Sequence, residues 1–239
     1  MDRTKKIIIA IIIAVLILLI AIIAGALFVS QNKELSEGNK NILVCAIDES
    51  EDRPGMGACD MAFIVTLDNG TLENYTAVYP GGLTHPTASE PAEAQAQGAG
   101  ARLLLHDAFW DSDNAVGMRL AKEIVEYNTK IKVDSVVAVN TKALDAVLNA
   151  AGPIDVNGTP TTVSSIDIIR EEDGTQGVSR GEAVLNVVKS AARAAKDPSV
   201  KASMVNAALD QYAKGNIIMD QEGAFAGLLA SKGIETFFG

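Results

Sequence analysis

Ile7 to Val29 is an unbroken run of 23 residues without a charge or a proline. As a helix at about 1.5 Å per residue it spans roughly 34 Å, enough to cross a hydrocarbon core of about 30 Å with some tilt. Arg3, Lys5 and Lys6 precede it and Asp2 is the only opposing charge. The positive-inside rule then places residues 1–6 in the cytoplasm as a short tail, 7–29 in the membrane as a transmembrane helix, and everything after it outside. Ala24-Gly25-Ala26 also has the small-x-small form of a cleavage site, so a removed signal peptide is the competing reading. The apolar stretch before it is, however, longer than the roughly 7–15 residues such signals use. The expectation is a single-pass protein of the cell membrane, cytoplasmic at its N-terminus, with an extracellular C-terminal domain.

Beyond residue 30 the chain carries 17 basic against 29 acidic residues, a net charge of -12. Nucleic-acid binding draws on clustered Lys and Arg, and none is present there, so that partner class is excluded. Three acceptor sequons, at Asn69, Asn74 and Asn157, suit an external location and make the domain a candidate glycoprotein. Residues 30–40 (SQNKELSEGNK) lack periodicity and read as a juxtamembrane linker. The folded unit is expected over 41–239, long enough for a single core.

Within it, Ile42–Ile47, Ala62–Leu67 and Thr71–Tyr79 have strand character, and Asp68-Asn69-Gly70 between the last two is a hairpin signal. Tyr79–Pro91, rich in turn formers, reads as an exposed loop. Pro91–Trp110 is rich in Ala and Leu but weakened as a helix by Gly98 and Gly100. Asn114–Tyr127 places Val116, Leu120, Ile124 and Tyr127 at helical spacing, with Asp113 or Asn114 as cap. Lys132–Asn140 reads as a buried strand, followed by a helix capped by Thr141 and stopped at Gly152-Pro153. Thr159–Arg170 is β-prone. Further helices are expected after the Ser179–Glu182 capping box, after Asp197-Pro198 with Val200, Met204, Ala208 and Tyr212 on one face, and over Gly223–Ser231. Strands interleaved with helices argue for an α/β fold, a single α/β/α sandwich on a mixed sheet.

The order of elements and several phrases resemble the extracytoplasmic domain of the LytR-CpsA-Psr family. Asn41–Asp48 (NILVCAID) is similar to that family's opening strand and Gly-x-Asp motif. Ala58–Val65 (ACDMAFIV) is similar to its Arg-x-Asp strand, and Tyr75–Gly82 (YTAVYPGG) to its strand ending in Pro-Arg-Asp. Ile131–Val156 is similar to its strand, helix and Gly-Gly-Val-Asp-Val ending. The resemblance covers roughly 41–196. Tyr79-Pro80-Gly81-Gly82 and Leu105-His106-Asp107 also resemble a family of membrane-anchored proteins from methanogenic archaea. The LytR-CpsA-Psr resemblance implies an envelope protein that handles a polyprenyl pyrophosphate-linked glycan with arginines and a divalent metal such as Mg²⁺. The chain departs from that pattern where it matters: the family's arginines fall on Ala58 and within Gly81-Gly82, and the basic residues of its later helix are reduced to Lys189 and Arg193. Glycine and alanine cannot replace bidentate guanidinium contacts.

Asp48 and Asp60 lie at the ends of strands expected to be neighbours, where two carboxylates can hold a hard cation. The alternative metal set is His106, Asp107, Asp111 and Asp113, in LHDAFWDSDN; its competing reading is a helix end capped by Asp113. Arg53, Gly81, Gly82, His85 and Trp110 are the candidate ligand-binding residues, with Trp110 either a sugar-stacking platform or core. Cys45 and Cys59 are positioned either to form a disulfide, which an external compartment permits, or to remain buried thiols. No Ser-His-Asp or Cys-His arrangement is present, and no residue is assigned a catalytic role. The expected function is non-catalytic binding or organisation of an envelope glycan or its lipid-linked precursor. The alternatives are an active metal-dependent glycopolymer transferase and a structural envelope protein that binds another protein.

Overall fold

Strand β1 (Asn39–Asp48) is buried at every residue from Ile42 to Asp48, which requires a sheet covered on both faces. The computed structural model describes residues 37–51, 53–69, 71–156, 159–161, 193–194 and 197–220. The apolar run 7–29, Asn157, Lys189 and the helices expected after Ser179 and over 223–231 lie outside the described residues. Among the described residues no helix is long and apolar enough to cross a membrane.

β1 pairs antiparallel with β2 (Ala58–Asp68), which pairs antiparallel with β3 (Thr71–Val78). Asn69 at that hairpin turn takes a φ of 47°, a left-handed conformation asparagine tolerates, as the Asp-Asn-Gly signal demands. On its other side β1 runs parallel to β6 (Ser135–Asn140), which pairs antiparallel with β9 (Ile217–Met219), so among the described residues the sheet has five strands and is mixed, in the order β3-β2-β1-β6-β9. Two small ribbons pair β4 (Thr84–Ser89) with β5 (Arg102–Leu104) and β7 (Ile154–Val156) with β8 (Thr159–Thr161).

Helices cover the sheet. After the short α1 (Ala92–Ala96), α2 (Asn114–Thr129) buries Met118, Ala121, Ile124 and Val125 in one core with Leu43, Cys45, Ile47, Val136 and Ala138. The intervening residues Ile42, Val44, Ala46, Val137 and Val139 are equally buried and face the other layer, where α3 (Thr141–Ala150) and α4 (Pro198–Ala213) pack on each other. Among the described residues Ile42, Leu43, Ile47 and Phe109 are the largest fully buried side chains, each contributing about 1.5–3 kcal/mol.

Asp113 caps α2 by accepting from Ala115 N at 2.9 Å, and Asp197 caps α4 by accepting from Ser199 N at 2.8 Å. The cap of α3 is Asn140 rather than Thr141: Asn140 Oδ1 accepts from Ala143 N at 3.0 Å, while Thr141 N and its hydroxyl both donate to Glu49 Oε2. Three further expectations are corrected. β1 takes in Asn39 and Lys40 of the stretch read as linker. The stretch read as an exposed loop, Tyr79–Pro91, contains a 3₁₀ turn (Pro80–Gly82) and β4, because the buried imidazole of His85 accepts from Thr87 N at 3.1 Å and Ala88 N at 2.7 Å, substituting for ladder partners. Pro91–Trp110 breaks into α1, β5 and a 3₁₀ turn (Leu105–Asp107). Cys45 and Cys59 are buried free thiols. Cys45 stands opposite Ala62 and Cys59 opposite Ile47, so the two are offset along the ladder rather than directly opposed. Burial, and then the neighbouring Cys45 thiol, push the Cys59 thiol well above its ordinary pKa.

Candidate functional site

In the connection between β1 and β2, Gly55 and Met56 lie against the backbone of Phe109–Asp111. Gly55 makes this approach possible: a Cβ there would sit 2.2 Å from Phe109 O and 2.3 Å from Asp111 O. Met56 N donates to Phe109 O at 3.1 Å and fixes the contact. Docked this way, the loop drives Arg53 inward until its side chain is only 5% exposed. Its guanidinium pairs with Asp107 at 2.6 Å and Glu51 at 2.8 Å, donates to His106 O at 2.9 Å, and lies 5.2 Å from the centre of the Trp110 ring.

Asp60 arrives from β2. The β1–β2 register slips between Ala46, paired with Met61, and Ile47, paired with Cys59, leaving Asp60 as the extra residue of a bulge. Bulges re-aim a side chain out of the ladder, and Asp60 Oδ1 reaches His106 Nε2 at 3.5 Å. Glu51 Oε1 stands 3.9 Å from the same nitrogen. One donor atom from each of Glu51, Asp60 and His106 lies within 4.8 Å of the other two. On the far side of the ring, His106 Nδ1 is 3.3 Å from Asp107 Oδ1 and 3.3 Å from Arg53 Nη2.

Charge is tightly coupled here. Hydrogen bonding to Asp107 and then to Asp60 holds the His106 imidazole protonated, its pKa pushed up to about 10. Burial alone would raise the Asp107 carboxyl, but the His106 hydrogen bond and the Arg53 charge outweigh it and hold the carboxyl below its ordinary range. Glu90 lies behind Asp107. Its Oε1 accepts from Leu104 N at 2.7 Å, whereas Oε2 is buried with no partner within hydrogen-bond distance. Burial, reinforced by the nearby Asp107 carboxylate, pushes Glu90 up to about 7.

The residues singled out from the sequence are therefore redistributed. Asp48 and Asp60 do not form an open pair: Asp48 is 2% exposed and its Oδ1 accepts from Ser50 N at 2.8 Å and Ser50 Oγ at 2.5 Å. The two carboxylates that the strand ends offered for a hard cation are turned to different partners, Asp48 to Ser50 and Asp60 toward His106. Of the alternative set, His106 and Asp107 enter the site, while Asp111 accepts from Asp113 N and Asp113 caps α2. Arg53 and Trp110 belong to the site. Gly81 and Gly82 are exposed in a turn that touches the Leu105–Asp107 turn, under the ring of Tyr79. His85 is 6% exposed and bonded through Nε2 to Glu123 at 2.8 Å, holding β4 to α2. Asn69 and Asn74 are exposed; the Asn69 amide donates to Asp68 and its oxygen accepts from Gly38 N. Arg193 is exposed on a helical turn. Glu51 and Glu90 are site residues that the sequence did not reveal. Glu51 sits in an acidic run that reads as solvated, and nothing in the order of residues signals Glu90.

A family model described as "Protein of unknown function (DUF4012)" matches residues 37–173, more than half of the chain. No curated protein matches. Among solved structures, the Lin1025 protein of Listeria innocua is similar over 84% of this chain and 79% of its own, with 13% identity and a TM-score of 0.50, a likeness of fold. Two LytR-CpsA-Psr proteins are also similar. TagV of Bacillus subtilis has 15% identity over 84% of this chain and 83% of its own, with a TM-score of 0.45. TagT, solved bound to LIIa-WTA, has 16% identity over 83% of this chain and 75% of its own, with a TM-score of 0.49.

Proposed function

The chain belongs to the DUF4012 family, and we propose that it is a membrane-anchored, extracytoplasmic binder of an envelope glycan or its lipid-linked precursor that does not transfer it. The ligand class comes from the resemblance of 41–196 to the LytR-CpsA-Psr domain, and the mode of action from the site. The observation that carries it is the state of Arg53. A guanidinium that served a pyrophosphate would have to face the ligand. Arg53 is buried and already matched by Asp107 and Glu51. Recruiting it would break a buried ion pair at about 3–5 kcal/mol, roughly two to four decades of affinity. Gly81 and Gly82 stand where the resembled family carries its Arg-Asp pair and supply no replacement charge.

What the surface offers suits sugar instead. Tyr79 is 78% exposed beside these glycines, and Trp110 is half-buried at the site. Aromatic faces take the C–H surface of a pyranose ring, and neighbouring carboxylates accept from its hydroxyls. Titrating the full chain with free and polyprenyl-linked envelope oligosaccharides should show binding without release of transferred glycan. Tyr79→Ala should weaken it about 3- to 10-fold, the worth of one aromatic contact. Metal-dependent turnover that disappears in Asp60→Asn would reject this reading in favour of the transferase.

The topology is read from the basic flank and the apolar run. In intact cells with the wall removed, added protease should digest the chain beyond residue 30 and spare a short membrane-protected fragment. A chain left whole under those conditions places the domain inside.

A further inference from the structure

We propose that Glu51, Asp60 and His106 form a binding site for a borderline divalent transition-metal ion, with zinc as its best-matched occupant. The inference goes beyond the glycan reading and does not depend on it. It also differs in its ligands from the two-aspartate Mg²⁺ arrangement, sharing only Asp60 with it.

Geometry is the first support. Tetrahedral zinc bonded at about 2.0–2.2 Å to nitrogen and oxygen sets its ligand atoms roughly 3.3–3.6 Å apart. His106 Nε2 and Asp60 Oδ1 are 3.5 Å apart, within that range. Glu51 Oε1, 3.9 Å from Nε2, needs to move a few tenths of an ångström, which an exposed loop carboxylate can do. One imidazole with two carboxylates suits zinc or manganese better than Mg²⁺, which favours oxygen ligands and retained water. The three side chains are partly open to solvent, at 30%, 22% and 43% exposure for His106, Asp60 and Glu51, leaving a fourth position for water or a ligand group.

Orientation is the second. Each ligand is fixed from outside the trio. The buried Asp107 carboxylate holds His106 by Nδ1, so Nε2 is the nitrogen that faces the ion and gives up its proton to solvent as the metal bond forms. Arg53 takes Glu51 Oε2 and leaves Oε1 for the ion. The β2 bulge turns Asp60 toward the same point. A carboxylate–histidine pair behind the ligand nitrogen is the arrangement that metal sites use to set ring orientation, and its loss typically costs 10–100-fold in affinity.

The full chain, stripped with chelator and dialysed against zinc, manganese or magnesium, tests this by bound-metal analysis in the absence of any glycan. One equivalent of zinc should be retained. Affinity should fall about 100-fold or more in His106→Ala, and by at least about tenfold in Glu51→Gln, whose half-exposed side chain makes it safe for folding. Asp111→Asn, outside the site, should bind as the parent does. Circular dichroism on each variant separates lost ligands from lost fold. No retained zinc, zinc binding unchanged in a folded Glu51→Gln or His106→Ala, or magnesium held as tightly as zinc overturns the proposal. Because no glycan is present, none of these results bears on the glycan-binding reading.

Discussion

Gly55→Ala should lower the stability of the domain by about 3 kcal/mol and dismantle the site in the same step. Its φ is not positive, so alanine is acceptable to the backbone and the whole effect lies in contacts. The new methyl would meet the carbonyl oxygens of Phe109, Asp111 and Trp110 at 2.2, 2.3 and 2.8 Å, all backbone atoms that cannot swing aside. The loop must lift, breaking the Met56 N to Phe109 O bond and withdrawing Arg53 from Asp107, which is left a buried carboxylate without its cation. Overpacking costs about 1–3 kcal/mol, and an unpaired buried charge a comparable amount or more. For a domain of this size that is a fall in Tm on the order of 6–12 °C. Gly100→Ala is the control, since a Cβ there meets nothing within 4 Å. Thermal unfolding of the full chain that shows equal midpoints for the two variants would rule out the docking of this loop as described.

Glu90→Gln should stabilise the domain above neutral pH and leave it nearly unchanged near pH 4. The folded pKa of Glu90, about 7, lies above its ordinary 4.5, so the folded state holds the proton more tightly than the unfolded chain. Stability is therefore lost as pH rises from about 4.5 to 7, and the deficit is complete beyond that. Over about 2.5 pH units at about 1.4 kcal/mol each, the deficit is on the order of 3 kcal/mol. The groups that set it are the burial of the carboxyl, Asp107 opposing its ionisation, and Leu104 N and Arg53 favouring it. Glutamine keeps an oxygen for Leu104 N, turns an amide toward Asp107 and removes the titration. Denaturant unfolding at pH 4 and pH 8 should show the two proteins nearly matching at the lower pH and separating at the higher. Parallel stabilities at both would mean that Glu90 ionises freely.

How much of the fold is legible in the residues depends on whether the signal is local. Strand β1, the Asp68-Asn69-Gly70 hairpin, the Asp113 and Asp197 caps and the buried β6 are all readable, because side-chain period, β-branching and a cap two residues ahead of its amide are properties of neighbours in sequence. β4 escapes such a reading because its backbone donors are met by the ring of His85 rather than by a regular ladder. Asp48 does lie at a strand end as its position implies, yet it is closed, since Ser50 folds back on its carboxylate.

The site is a different matter. Two groups of acidic and histidine residues that the sequence offers as separate metal candidates each contribute a part, Asp60 from one and His106 with Asp107 from the other. Glu51 and Arg53 join them from a loop that reads as solvated charge. The order of residues determined the elements, their caps and the alternation that makes a two-faced sheet, because those depend on spacings of two to four residues. It also determined the long apolar run and the acidic balance of the residues beyond it. Tertiary structure alone decided which charges meet. A one-residue bulge in β2 aims Asp60, and a glycine pressed on the carbonyls of Phe109–Asp111 carries Arg53 and Glu51 to residues some fifty positions away. Such distances are fixed by packing rather than by neighbours in the chain.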